Sequence, residues 1–197
     1  MAIEPKKCMP LTFIDANILF KMFAVTPSRM EKYNSSGTSG SRGLDYAIKI
    51  LLSLNDEMYS TSELALLEAC GVASREAGNE KARSLLKVAL EEESLAILDV
   101  RAITYPLAFS FVLGYGFETR DALHLGVAVL ARVSRVLTSD DDFADRIDSL
   151  IKEVRHDRIR IPSAVQAMYC LSDKEIQIVE KDAMSVLTNL ETLRAPP

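Results

Sequence analysis

A chain of 197 residues, 48% of them apolar, has enough material for one compact domain with a substantial core. Charged residues make up 26% and the net charge is −5, which excludes a global basic field for nucleic acid. An RNA or DNA partner would have to meet a local basic patch helped by cations, because carboxylates and phosphates repel. The cysteines, Cys8, Cys70 and Cys170, are far apart and free of CxxC spacing, and no apolar leader or run of ~20 apolar residues is present. The expectation is a reduced, cytoplasmic protein with no membrane partner.

In chain order, LTFID at 11–15 is a short apolar β-type run that stops at an acid, and NILFKMFAV then offers helical spacing up to Pro27. YNSSGTSGSRG at 33–43 is dense in Ser and Gly and predicts a flexible loop. LDYAIKILLSLN places Leu44, Ile48, Leu51 and Leu52 on one face of a second helix. EMYST at 57–61 predicts a second strand, and Ser62 is a suitable cap for the helix SELALLEACGVASREAG, in which Cys70 is a packing residue. A charged helix over 80–92 would turn Leu85, Leu86, Val88 and Leu90 inward, and LAILDV at 95–100 predicts a third strand. ITYPLAFSFVLGYG reads as a buried helix with Pro106 in its first turn or at a kink.

Thr119 then caps RDALHLGVAVLARV, where Ala122, Leu125, Val129 and Val133 recur at helical spacing, and RVLTS predicts a fourth strand. RIRIP at 158–162 offers an edge strand. Residues 171–193 read as a last helix with Ile176, Val179, Val186, Leu190 and Leu193 on one side, suited to packing on the sheet or to pairing two copies into a homodimer. The alternation predicts an α/β fold with a central, mainly parallel sheet covered on both faces. Its division is a domain over 1–155, interrupted by the loop at 33–43, and an extension over 156–197 whose helix packs on the same domain.

Five acids recur just after apolar runs or early in helices: Asp15, Glu68, Asp121, Asp140 and Asp142. In an open α/β sheet the carboxyl ends of the strands line the ligand crevice, so Asp15, Asp140 and Asp142 share it if the first and fourth strands are neighbours. Asp121 and Glu68 reach it if their helices pack beside those strands. Grouped carboxylates repel and raise one another's pKa, and a divalent cation removes that conflict. Oxygen ligands without His or Cys favour Mg²⁺ or Mn²⁺, and the chemistry suggested is in-line phosphodiester hydrolysis. Asn17, Thr138 and Ser139 are suited to orient a ligand carboxylate, a water or a phosphate, or equally to cap a helix or turn.

Taken together, the ID-A-N opening, the ST-SELALLE segment, the T-R-DALHLGVA helix and the LTSDDDF turn resemble the PIN-domain nucleases, particularly the VapC-type ribonucleases, over roughly residues 11–145. The matching positions are Asp15, Asn17, Glu68, Asp121, Thr138, Asp140 and Asp142. The resemblance implies a PIN-like α/β/α sandwich and a Mg²⁺- or Mn²⁺-dependent endoribonuclease. It assigns catalysis to Asp15, Glu68, Asp121 and Asp140, and metal binding to these four with Asp142. RNA is the implied substrate, and an antitoxin protein the implied partner if the chain is the toxin of a toxin–antitoxin pair. The chain exceeds the usual small toxin through its Ser/Gly loop and the tail after about residue 155.

Other assignments stand beside this one. Glu63 competes with Glu68, but an acid in a first helical turn is favoured by the helix dipole alone, whereas Glu68 lies among Leu66, Leu67 and Ala69 and needs a further reason. His124, one turn after Asp121, reads as a packing residue or a support behind the ligands and stays outside the metal set. Lys21, Arg29, Lys32 and Arg42 read as a solvated charged face in preference to RNA contacts. A phosphoacceptor receiver domain would use Asp99, yet lacks its paired acid after the first strand and its Lys after the last. A non-catalytic PIN-like module binding RNA or protein would show displaced acids, and an RNA-processing nuclease unrelated to toxicity would keep them.

Overall fold

The computed structural model describes residues 11–53 and 58–195. Cys8, the end of the second predicted helix at 54–55 and the start of the second predicted strand at Glu57 lie outside them. The elements are β1 (Thr12–Ile14), α1 (Ala16–Phe23), α2 (Pro27–Ser36), α3 (Arg42–Ser53), β2 (Tyr59–Ser62), α4 (Glu63–Ala77), α5 (Asn79–Glu91), β3 (Leu95–Leu98), α6 (Thr104–Tyr115), α7 (Thr119–Leu130), β4 (Arg135–Thr138), α8 (Asp141–Val154), α9 (Ser163–Met168), α10 (Asp173–Leu187) and β5 (Glu191–Arg194).

All five strands are parallel, in the order β3-β2-β1-β4-β5. The chain winds outward from β1 through β2 and β3, then returns to β1's other side for β4, so the winding reverses between β1 and β4. That reversal is where an open sheet leaves a crevice at its carboxyl edge. Ile14 sits opposite Leu137, which brings the residues that follow, Asp15 and Ser139–Asp140, to that edge together.

The three central strands are buried on both faces, and alternate residues serve two cores. Ile14, Tyr59, Leu95 and Leu137 join Ile18 and Leu19 of α1, Ala47 and Ile50 of α3, Leu66 and Ala69 of α4 and Leu85 of α5. Phe13 and Val136 join α6, α7, α8, α9 and α10 on the opposite face. The architecture is an α/β/α sandwich, with no helix among the described residues long and apolar enough to cross a membrane.

The structure differs from the sequence reading at several points. The Ser/Gly segment is helical to Ser36, and Asp45 orders the rest by accepting the Ser39 N–H at 2.5 Å and the Thr38 hydroxyl at 2.8 Å. Leu52, Leu86, Val88 and Leu90 are exposed, because α3 and α5 each bury a narrow stripe such as Leu85 and Ala89. Glu118, not Thr119, holds the cap position of α7.

The segment 158–162 forms no strand, burying Ile159 and Ile161 against α10 instead, where the Ile161 N–H donates to Glu180. The last helix ends at Leu187, and the chain re-enters the sheet as β5, where the Glu191 N–H donates to Ser134 at 2.9 Å and the Ala195 N–H to Thr138 at 2.8 Å. The apolar face of α10, Ile176, Val179, Ala183 and Leu187, is spent on this chain's own core, not left for self-pairing.

Candidate active site

Asp15 ends β1 in extended conformation and caps α1, its Oδ1 accepting the Ala16 N–H at 2.7 Å. Its Oδ2 accepts from Asn17 Nδ2 and from the Thr138 hydroxyl, both at 2.7 Å. A carboxylate offers about four lone-pair sites, so one on Oδ1 remains for another ligand. Thr138 Oγ1 in turn accepts from Asn17 at 3.2 Å and from the Asp140 N–H at 3.0 Å, while Asn17 Oδ1 accepts the Ser139 N–H at 3.0 Å. These bonds tie the end of β1 to the end of β4. Asp140 caps α8 through Oδ1, which accepts the Phe143 N–H at 3.0 Å, while its Oδ2 has no hydrogen-bond partner among the described residues.

Glu68 and Asp121 enter from helices. Asp121 lies in the first turn of α7 and is buried; Glu68 lies in the second turn of α4. His124, 1% exposed, links the two helices: its Nε2 is 3.2 Å from Glu68 Oε2 and its Nδ1 is 3.1 Å from Ser62 Oγ. With the proton on Nε2, the imidazole donates to Glu68 and accepts the Ser62 hydroxyl, so both polar ends of the ring are satisfied.

Asp15, Glu68, Asp121 and Asp140 line one cavity of about 630 Å³. Asp142 is exposed in the first turn of α8 and is not among the cavity's lining residues. Glu63 is not either; its Oε2 accepts the Val100 N–H at 3.5 Å. Asp99 lines a separate cavity with Arg101 and Thr104.

Burial pushes the Asp15 carboxyl above its ordinary value, against the lowering effect of the Thr138 hydrogen bond. Asp121 is pushed up to about 6, chiefly by burial and further by Asp15 and Asp140, with Arg120 acting in the opposite sense. Arg120 Nε stands 3.7 Å from Glu68 and 3.9 Å from Asp121, and its largely exposed side chain compensates them only in part. Among the described residues no three Asp, Glu, His or Cys side chains close on a single point, since each acid is turned toward a cap, His124 or Arg120. The donor set is all oxygen, with Asp15 and Asp121 buried and Glu68 and Asp140 half-buried, and it is short of positive charge; the chemistry of such a set suits a hard divalent cation.

The cavity also contains residues that sequence reasoning missed or read differently. Lys21, assigned to a solvated face, lines it and donates to Ser139 Oγ at 3.1 Å. Phe20, Leu67, Val72, Arg75, Glu76 and Arg120 line it too. The available signal was helical spacing: Arg75 lies seven residues after Glu68, and His124 three after Asp121.

The PIN domain family model matches residues 37–148, more than half of the chain. The chain is similar in structure to the Mycobacterium tuberculosis toxin VapC20, described as cleaving the sarcin–ricin loop, at a TM-score of 0.53 and 17% identity, covering 68% of this chain and 93% of that one. It is also similar to a toxin–antitoxin complex from Klebsiella pneumoniae (0.46, 19%, 68% and 90%). VapBC2 from Rickettsia felis, bound to a DNA fragment from its promoter, gives 0.48, 16%, 68% and 92%. A search of curated protein sequences returned no match. With α/β/α layers, an all-parallel five-stranded sheet and a family model spanning most of the region between α2 and α8, this chain belongs to the PIN-domain family.

Proposed function

We propose that this protein is a divalent-metal-dependent endoribonuclease, with Asp15, Glu68, Asp121 and Asp140 as its catalytic carboxylates. The observation that carries the reading is that these four acids, from four elements, line one cavity in which Asp121 is pushed up to about 6. Negative groups gathered at a sheet edge repel one another, a conflict that a bound cation relieves.

Bound Mg²⁺ or Mn²⁺ would supply charge neutralisation at the scissile phosphate and a water of lowered pKa. The chain's own residues do the rest. Thr138 and Asn17 fix Asp15 with one lone pair open, and the helix cap fixes Asp140. His124 restrains the Glu68 carboxylate through one hydrogen bond beside the cavity, which lowers the cost of ordering it. Asp142, exposed, would join the ligand set only through a water or the substrate.

Incubation with RNA and Mg²⁺ or Mn²⁺ tests this. Cleavage that is stopped by EDTA and lost in Asp15→Asn and Asp121→Asn is expected; cleavage surviving either treatment overturns the assignment. The toxin role is a narrower proposal, supported by the description of the M. tuberculosis neighbour on the same fold. It predicts growth arrest on induction, relieved by a co-expressed antitoxin that co-purifies with the chain; induction without arrest would leave an RNA-processing nuclease.

A further inference from the structure

The start of α8 is crowded with negative charge. Directly after the cavity acid Asp140, Asp141, Asp145 and Asp148 stand at i, i+4 and i+7 and so form one stripe along the helix. Like charges three and four residues apart weaken a helix. One side chain meets the whole stripe: the Arg194 guanidinium donates to Asp145 and, at 3.2 Å, to Asp148, and its Nη1 stands 3.7 Å from Asp141. Arg146, the cation within this stretch of α8, donates instead to the Gly116 carbonyl.

Arg194 reaches α8 from β5, where it sits opposite Thr138 in register and the next residue, Ala195, donates its N–H to the Thr138 carbonyl at 2.8 Å. Thr138 is also the residue whose hydroxyl accepts the Asp140 N–H, at 3.0 Å. Asp140 in turn keeps its place through the first turn of α8, its Oδ1 accepting from the Phe143 N–H and its carbonyl from the Ala144 N–H, both at 3.0 Å. Those two bonds hold only while residues 141–144 are helical. Exposed ion pairs taken singly contribute little, but one guanidinium shared by three acids is a network, and its removal leaves three charges unopposed. Arg194 does not line the cavity and its charge is open to solvent and salt, so its route to the acids there is α8 itself.

We propose that Arg194 is a positioning residue for Asp140: by neutralising the stripe of Asp141, Asp145 and Asp148 it keeps the first turns of α8 helical, and so holds the Asp140 carboxylate at the cavity. β5 thus takes part in a site that none of its residues lines. The catalytic consequence rests on the nuclease reading, whereas the placement of Asp140 does not.

The experiment compares the full-length unmutated protein with Arg194→Gln, with Arg194→Lys, and with Arg194→Gln combined with Asp145→Asn and Asp148→Asn, all at exposed or half-exposed positions. Amide hydrogen exchange in EDTA reads the helix start directly. The Phe143 and Ala144 amides should exchange about 5-fold faster or more in Arg194→Gln, while the Ala65 amide at the start of α4 stays as in the unmutated protein. Arg194→Lys, which keeps the charge without the planar fork, should lie between the two. The two Asn changes should restore slow exchange because they remove the repulsion; were Arg194 only a tie between β5 and α8, they could not. In RNA cleavage with Mn²⁺, Arg194→Gln should lower kcat about 5-fold or more with KM unchanged, and the combined variant should recover. Unaltered exchange at Phe143 and Ala144, an acceleration shared by Ala65, or one that the Asn changes leave in place overturns the proposal, and so does altered exchange with undiminished cleavage. If the unmutated protein cleaves no RNA while the exchange pattern holds, the nuclease reading falls and the placement of Asp140 by Arg194 stands.

Discussion

The Thr138 hydroxyl donates to Asp15 Oδ2 at 2.7 Å, joining the ends of two neighbouring strands that lie 123 residues apart in the chain. The same oxygen accepts from Asn17 and from the backbone of Asp140, so one small side chain sets the geometry of three cavity residues. Thr138→Val keeps the shape and removes the hydroxyl, leaving buried polar groups short of partners. A stability loss of about 1–3 kcal/mol in urea unfolding is expected, together with weaker Mn²⁺ binding by calorimetry, and Thr138→Ser should restore both. Unaltered metal affinity in Thr138→Val would remove Thr138 from the site.

Stability without metal should fall as pH rises from about 4 to about 6. Asp121 is raised from 3.8 to about 6, so in this window the folded state keeps a proton that the unfolded chain has released. The contribution is complete below the unfolded value and gone above the folded one, and at 1.36 kcal/mol per unit it is at most about 3 kcal/mol. Asp15 is shifted in the same direction. Urea unfolding in EDTA at a series of pH values, with Asp121→Asn as the reference that cancels the groups not coupled to Asp121, reads the effect; a difference that does not change with pH contradicts it.

Asp121→Asn should separate stability from function. The variant removes a buried charge that Asp15 and Asp140 oppose, so at pH 7.5 in EDTA it should melt at a higher temperature than the unmutated protein. Millimolar Mn²⁺ should raise the melting temperature of the unmutated protein and leave that of the variant nearly still. An equal Mn²⁺ response in the two proteins would place the ion elsewhere.

His124→Leu fills the same space but offers no hydrogen bond to Ser62 or Glu68. The expected cost is about 1–3 kcal/mol for the stranded groups, with a fall in kcat larger than any change in KM, because Glu68 loses its orientation and not its charge. Single-turnover cleavage at saturating Mn²⁺ checks this, and a rate equal to that of the unmutated protein would reduce His124 to packing.

Much of the scaffold was legible because it rests on local patterns. TFI, YSTS, LAIL and RVLT are short β-type runs, each followed by a turn or a helix start, and Ser62 does accept the Ala65 N–H at 3.0 Å as a cap should. Leu86, Val88 and Leu90 misled because an apolar residue on a helix reports a preference for burial and not the width of the partner surface, which for α5 is chiefly α4. ETLR gave no strand signal: four residues with charge at both ends continue a helical pattern, and only the free edge of β4 makes them β5.

The sequence by itself determined the alternation of strands and helices, the candidate acids and their order, since these depend on neighbours within a few residues. The tertiary structure alone decided which acids meet. Pairing β1 with β4 brings Asp15 beside Asp140, and packing α4 against α1 and α7 beside β2 carries Glu68, Asp121 and His124 to the same edge, while Asp142 turns to solvent. The physical reason is range: propensity acts over one turn of chain, whereas the contest between burying carboxylates and repelling them is settled only when segments 123 residues apart share a hydrogen bond.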